Sequence, residues 1–199
     1  MLGEILPRAA ARHGNKTALV TDARTLTYAE LDSLSDRVAG ALAARGIAPG
    51  ERVSLYSQNR WEWIVAYHGI LKTGAVVNPI NVMLTPKEVR YVLGDCGARA
   101  IFCGGDKTTA VLEAAADVPG VEHVVSFGET PRGALDFGEL LAAPARRPDV
   151  PPAAPTALST IAYTSGTTGH PKGAMQSHRA VYLNCALTGT MHVRTERDV

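Results

Sequence analysis

At 199 residues the chain is long enough for one good-sized domain with a substantial core. Its 46% hydrophobic and 20% charged residues exclude a disordered polymer. Twenty basic against nineteen acidic side chains leave a formal net charge of +1, too little to pull the whole chain onto nucleic acid or anionic lipid.

Sparse aromatics, at 6%, also argue against a base-stacking surface. Cys96, Cys103 and Cys185 are odd in number and lack C-x-x-C spacing, the pattern of reduced, mostly buried thiols in a cytoplasmic protein. The opening residues, Met1 to Arg8, lack the basic segment and apolar core of a secretory signal. The most apolar stretch, Trp63 to Ile80, is interrupted by His68, Lys72, Gly74 and Pro79, so no membrane span is expected. A soluble, cytoplasmic chain is the expectation.

In chain order, Leu2 to His13 predicts an opening helix, and Thr17–Thr21 with Arg24–Thr27 predicts a hairpin around Asp22. Thr27 and Glu30 form a T-x-x-E capping box ahead of Leu31, Leu34, Val38 and Leu42 at helical spacing, with Gly46 as the C-terminal stop. Arg52–Tyr56 reads as a strand, and Asn59 is placed to cap a helix running to Thr73. A strand over Ala75–Val77 follows. A second capping box, Thr85-Pro86-Lys87-Glu88, opens a helix that ends near Gly97. Strands over Ala98–Cys103 and Glu122–Ser126 flank a helix over Lys107–Ala116. Single helices alternating with strands predict the α/β class, with a parallel sheet covered on both faces.

Beyond Phe127 the pattern weakens to a short helix over Asp136–Ala142. Pro144, Pro148, Pro151, Pro152 and Pro155 then mark an extended linker. The predicted organisation is an α/β subdomain over 1–142, a linker over 143–156, and a strand, loop, return strand and helix over 157–199. The strand is Leu158–Tyr163, the return strand Gly173–Gln176, and Ser177 caps a helix over Arg179–Thr190. The last residues, Arg197 to Val199, read as the approach to a further strand.

Between those strands lies Tyr163-Thr164-Ser165-Gly166-Thr167-Thr168-Gly169-His170-Pro171-Lys172-Gly173. Its glycines admit close backbone approach to a ligand, its hydroxyls are donors, and Lys172 adds a positive charge. At a strand end such a loop can form an anion-binding nest, although a flexible hairpin tip has the same composition. A Walker loop places lysine directly after the last glycine. Here His170 and Pro171 intervene, and Gly173 occupies the magnesium-binding Ser/Thr position. The glycine spacing is not the dinucleotide fingerprint either.

Taken whole, the segment from Tyr163 to Gly173 resembles the signature loop of the adenylate-forming superfamily. That family includes acyl- and aryl-CoA synthetases, luciferases and peptide-synthetase adenylation domains. Thr25-Leu26-Thr27-Tyr28-Ala29-Glu30-Leu31, Gly50-Glu51-Arg52-Val53 and the run from Ala66 to Val76 resemble its earlier strand–helix units. Asn78-Pro79-Ile80-Asn81 with Leu84 to Glu88 is similar to the fatty-acyl and aryl-CoA ligase branch.

The resemblance implies ATP-dependent activation of a carboxylic acid, a medium- or long-chain fatty acid first, to an acyl-adenylate and then to a thioester of coenzyme A. It implies that Thr164, Ser165, Gly166, Thr167, Thr168, Gly169 and Lys172 hold the ATP phosphates, with Lys172 stabilising charge in catalysis and Mg2+ held mostly by residues outside this chain. The family's Tyr-Gly-x-Thr-Glu adenine segment, its ribose-binding aspartate and the lysine of its C-terminal domain have no counterpart here. The expectation is the front part of such an enzyme, with no adenylation activity alone. A non-catalytic remnant or partner-binding module is the alternative.

Other residues carry plainer expectations. His170, His178 and Cys185 lack the carboxylate or second cysteine that would complete a metal or nucleophile set, and no metal site is expected. His178 is expected to help start the final helix and His68 to be packed. Trp61 and Trp63 are expected in core or interface roles on different helix faces, and Arg146-Arg147 to be solvated.

Overall fold

The computed structural model describes residues 2–164 and 170–195. A 3-10 turn over Leu2–Glu4 leads into α1 (Ile5–His13), followed by a small antiparallel sheet of β1 (Thr17–Val20) and β2 (Thr25–Thr27). Next come α2 (Tyr28–Ala44), β3 (Arg52–Tyr56), α3 (Trp61–Lys72), β4 (Val76–Pro79), α4 (Pro86–Cys96), β5 (Ala98–Gly104), α5 (Thr108–Ala116) and β6 (His123–Phe127). A two-residue β7 (Leu135–Asp136), α6 (Phe137–Ala142), β8 (Leu158–Thr164), β9 (Lys172–Ser177) and α7 (His178–Met191) complete the described order.

Seven strands form one sheet in the order β7-β6-β5-β3-β4-β8-β9. All its pairings are parallel except β8 with β9, which is antiparallel. The predicted α/β class with a mostly parallel sheet is therefore the observed one. The two-residue β7 was not legible in the sequence, because it is too short to show any alternation.

Strand periodicity divides the core into two layers. Val53 and Leu55 of β3, with Ala100 and Phe102 of β5, face α2, α3 and α6, where Val38, Leu42, Ile70 and Leu140 meet them. Tyr56, Ile101 and Cys103 face the other way, onto Val89, Val92 and Leu93 of α4 and Val111 of α5. Phe102, Phe127 and Phe137 form an aromatic cluster with ring centroids 4.9–6.2 Å apart.

Both capping boxes are closed: Glu30 N–H donates to Thr27 Oγ1 at 3.2 Å, Glu88 N–H to Thr85 Oγ1 at 3.4 Å, and each glutamate accepts the cap residue's own N–H. Helix α2 ends in a Schellman motif, with Gly46 at φ +82°, its N–H on Ala43 O and the Ile47 N–H on Leu42 O. Asn59 does not cap α3. The cap residue is Arg60, without a side-chain bond to the helix, and its guanidinium instead grips Glu62 through two hydrogen bonds of 2.8 and 2.6 Å.

At the far end of α3, Lys72 is 1% exposed, with Nζ 2.6 Å from both Asp32 Oδ1 and Asp36 Oδ1 of α2. This triad of a buried lysine and two half-buried aspartates locks α3 onto α2. Arg147 is not simply solvated: it pairs with Glu4, tying the proline-rich segment to the chain's opening turn. No helix among the described residues is long and apolar enough to cross a membrane.

Candidate functional site

Ser165, Gly166, Thr167, Thr168 and Gly169 of the candidate loop lie outside the described residues. Both of its shoulders are described. Strand β8 runs parallel to β4, so its loop emerges at the carboxyl end of the parallel strands, where open α/β sheets bind ligands. The antiparallel return of β9 sets Thr164 opposite Lys172 and Tyr163 opposite Gly173. Thr164 and Lys172 are both exposed. Two donor-bearing residues, one with a hydroxyl and one with an ammonium, thus stand opposite each other at the loop's base. That is chemistry fitted to a polyphosphate.

A buried polar chain ties β8 to the parallel strands. The β4–β8 ladder consists of the single register pair Val77↔Thr160. Ser54 Oγ donates to Asn78 Oδ1 at 2.8 Å, and Asn78 Nδ2 donates to Ile161 O at 2.8 Å, so one asparagine staples β3, β4 and β8 together. Both its side-chain polar atoms are satisfied, which is what makes its burial affordable.

Helix α4 flanks the loop. The Tyr163 hydroxyl donates to Asp95 Oδ2, and burial together with that carboxylate holds the phenol protonated, well above its ordinary pKa. One turn earlier, Tyr91 stacks on His170 with centroids 4.8 Å apart and an interplanar angle of 18°. A cavity of about 420 Å³ lies beside them, lined by Lys87, Glu88, Arg90, Tyr91, His170 and Pro171. Tyr91, Asp95 and Asn78 were missed as contributors by sequence reasoning. The i, i+4 spacing of Tyr91 and Asp95 on a well-marked helix was the one available signal.

The remaining candidates have structural roles. His178 is buried and its Nδ1 accepts the Leu2 N–H at 3.4 Å, while Ser177 is the cap residue of α7, accepting the Ala180 N–H at 3.2 Å. His68 is packed on α3, where burial lowers its pKa to about 4. Trp61 packs edge-on against Phe137 and Trp63 stacks on Tyr67. Burial pushes the Cys96 and Cys103 thiols up to about 11, so neither is a thiolate nucleophile at neutral pH. Among the described residues no group of three or more His, Cys, Asp or Glu side chains is gathered for a metal. Of the seven candidate phosphate-binding residues, Thr164 and Lys172 are the two within the described residues.

A mostly parallel sheet with a glycine-, serine- and threonine-rich segment following a strand's carboxyl end places the candidate site where open α/β proteins bind ligands. The AMP-binding enzyme family matches residues 6–199, and the chain belongs to that family. It is 33% identical over 180 residues to a 3-hydroxybenzoate–CoA ligase of Aromatoleum sp. (strain CIB), covering 89% of this chain and 34% of that one. It is 39% identical over 165 residues to the long-chain-fatty-acid–CoA ligase FadD13 of Mycobacterium tuberculosis, covering 81% of this chain and 31% of the ligase. The apo structure of MbtA from Mycobacterium smegmatis superposes with a TM-score of 0.93 at 30% identity, over 100% of this chain and 37% of that one. The anthranilate CoA ligase AuaEII bound to anthranoyl-AMP gives 0.89 at 32% identity, over 95% and 37%. The chain thus spans about a third of the length of the curated relatives it matches.

Proposed function

We propose that this chain is the phosphate-gripping front portion of an acid–thiol ligase that activates a carboxylic acid with ATP. The reading rests foremost on the register of Thr164 against Lys172 at the base of the loop. In this reading Thr164, Ser165, Gly166, Thr167, Thr168, Gly169 and Lys172 hold the β- and γ-phosphates. A carboxylate oxygen attacks the α-phosphorus, the bond to the β-phosphate oxygen breaks, and pyrophosphate leaves while acyl-adenylate forms. No general base is needed, since the attacking acid is already an anion at neutral pH. Catalysis is then positioning and charge stabilisation, with Lys172 and the loop's N–H and O–H donors compensating the negative charge that grows on the leaving group. When bound, Mg2+ would supply further neutralisation of the phosphates. Transfer of the acyl group to coenzyme A completes the proposed reaction in a cytoplasmic setting.

The acid proposed first is a medium- or long-chain fatty acid, in line with the similarity to FadD13. Aromatic acids are the second reading, favoured by the similarity to the 3-hydroxybenzoate ligase and to the structure holding anthranoyl-AMP. A partner-binding module is the non-catalytic reading. It draws on β9, an edge strand with five of its six residues exposed.

ATP–pyrophosphate exchange tests the proposal with fatty and aromatic acids in parallel. The 199-residue chain alone is expected to show no exchange, and a longer protein containing it to exchange in an acid-dependent way. Exchange that persists undiminished in the longer protein after Lys172→Ala would sink the phosphate role given to that lysine.

A further inference from the structure

Both shoulders of the candidate loop lean on one helix face. Tyr91 and Asp95 are four residues apart on α4, so their side chains emerge on the same side. Asp95 accepts the hydroxyl of Tyr163, the residue before Thr164, and Tyr91 stacks on His170, two residues before Lys172. Helix α4 is itself well anchored. Its first turn is closed by the Thr85/Glu88 capping box, and Val89, Val92 and Leu93 are buried in the core. At its other end the Arg52 guanidinium donates to Cys96 O and Gly97 O, both at 2.6 Å.

Gly173 completes the arrangement. A Cβ built there would come within 3.0 Å of Tyr163 Cζ and 2.9 Å of Ile161 Cγ2, so the absent side chain is what lets the tyrosine ring lie across β9 toward Asp95. The requirement at this position is space, since Gly173 does not have a positive φ.

We propose that Asp95 and Tyr91 of α4 are positioning residues that clamp the two shoulders of the phosphate loop, through Tyr163 and His170 respectively. This rests on the phosphate reading of the loop given above. The clamp fixes the separation and direction of the two strand ends that carry Thr164 and Lys172, so that both donors reach one polyphosphate without an ordering cost at binding. The two contacts differ in chemistry. The Tyr163–Asp95 bond is charge-assisted and directional, whereas the Tyr91–His170 stack tolerates any flat ring.

The test is titration calorimetry of the 199-residue chain with magnesium tripolyphosphate, alongside amide hydrogen exchange over Leu158–Thr164 and Lys172–Ser177. Asp95 and His170 are exposed, so replacing them leaves the core intact. Tyr163→Phe and Asp95→Leu are each expected to weaken binding about fivefold and to speed exchange at both strand ends. Combining the two should weaken it no further. Asp95→Asn keeps an accepting oxygen and should recover most of the affinity. His170→Ala should cost about threefold, and His170→Tyr, which keeps a ring on Tyr91, should restore it.

Binding and exchange that match the unsubstituted chain in Asp95→Leu and His170→Ala would overturn the clamp, as would additive losses in the Tyr163/Asp95 pair. If the unsubstituted chain takes up no tripolyphosphate while the substitutions still speed exchange, the clamp stands and the phosphate reading fails. If neither is seen, both fall.

Discussion

The two ends of the seven-stranded sheet are built to different standards. Around β3 and β5 every layer is closed: Val53, Leu55 and Phe102 are fully buried, with helices packed on both faces. At the β8–β9 end the last strand among the described residues is β9, whose Met175 is 71% exposed. The following helix, α7, carries Arg179 as its single Lys, Arg, Asp or Glu residue, yet leaves Tyr182, Leu183, Leu187 and Met191 in solvent. The central region thus holds the fold together, while the end that carries the candidate site exposes apolar side chains. Sites that bind and release ligands tend to occupy such low-stability regions, on a scaffold that remains rigid.

Matched truncations make that contrast measurable. Phe102→Ala removes a buried ring from the Phe102/Phe127/Phe137 cluster and is expected to cost about 4 kcal/mol in urea unfolding of the chain. Equal costs at Phe102 and at an α7 apolar position would erase the distinction between the two regions.

Next in size is Lys72→Ala, which leaves Asp32 and Asp36 facing each other without their cation. Both carboxylates keep some solvent contact, so the expected loss is about 3 kcal/mol, read as a lower denaturation midpoint. Asn78→Ala attacks the seam between the regions. It leaves Ser54 Oγ without its acceptor and Ile161 O without its donor, at a cost of about 2 kcal/mol. Amide exchange should rise in β8 and β9 before it rises in β3 or β5. Uniform acceleration would show that the two ends unfold as one unit.

The smallest effect is expected at Leu187→Ala. A side chain 61% exposed has little to lose, and a stability change within about 0.5 kcal/mol is predicted, with improved solubility as the accompanying readout.

Much of this architecture was legible in the residues because it depends on short-range chemistry. Capping boxes at Thr27/Glu30 and Thr85/Glu88, the stop at Gly46, and strands alternating with helices are local signals, and most structured segments stand where their own residues place them. The exceptions were local too: Asn59 had the right chemistry for a cap, but Arg60 took the position and turned to Glu62. For the candidate site, the motif from Tyr163 to Gly173 and its strand–loop–strand setting were readable, since a glycine- and hydroxyl-rich run between two strands carries its meaning in sequence order.

Strand order and cross-chain partners were left to the tertiary structure. Nothing near Asn78 announces that its amide will staple β8 across 83 positions, nor does Asp95 signal that it will receive the hydroxyl of Tyr163. Lys72 sits in a pattern that any solvated helix end could show, and only the packing of α3 on α2 makes it a buried ion-pair partner. Local propensity is set by neighbours a few residues away, so the sequence by itself determined most of the elements, the α/β class and the loop's motif. Which strands lie side by side, which charges are buried together and which helix backs the loop depend on long-range closure of the core, and the tertiary structure alone decided them.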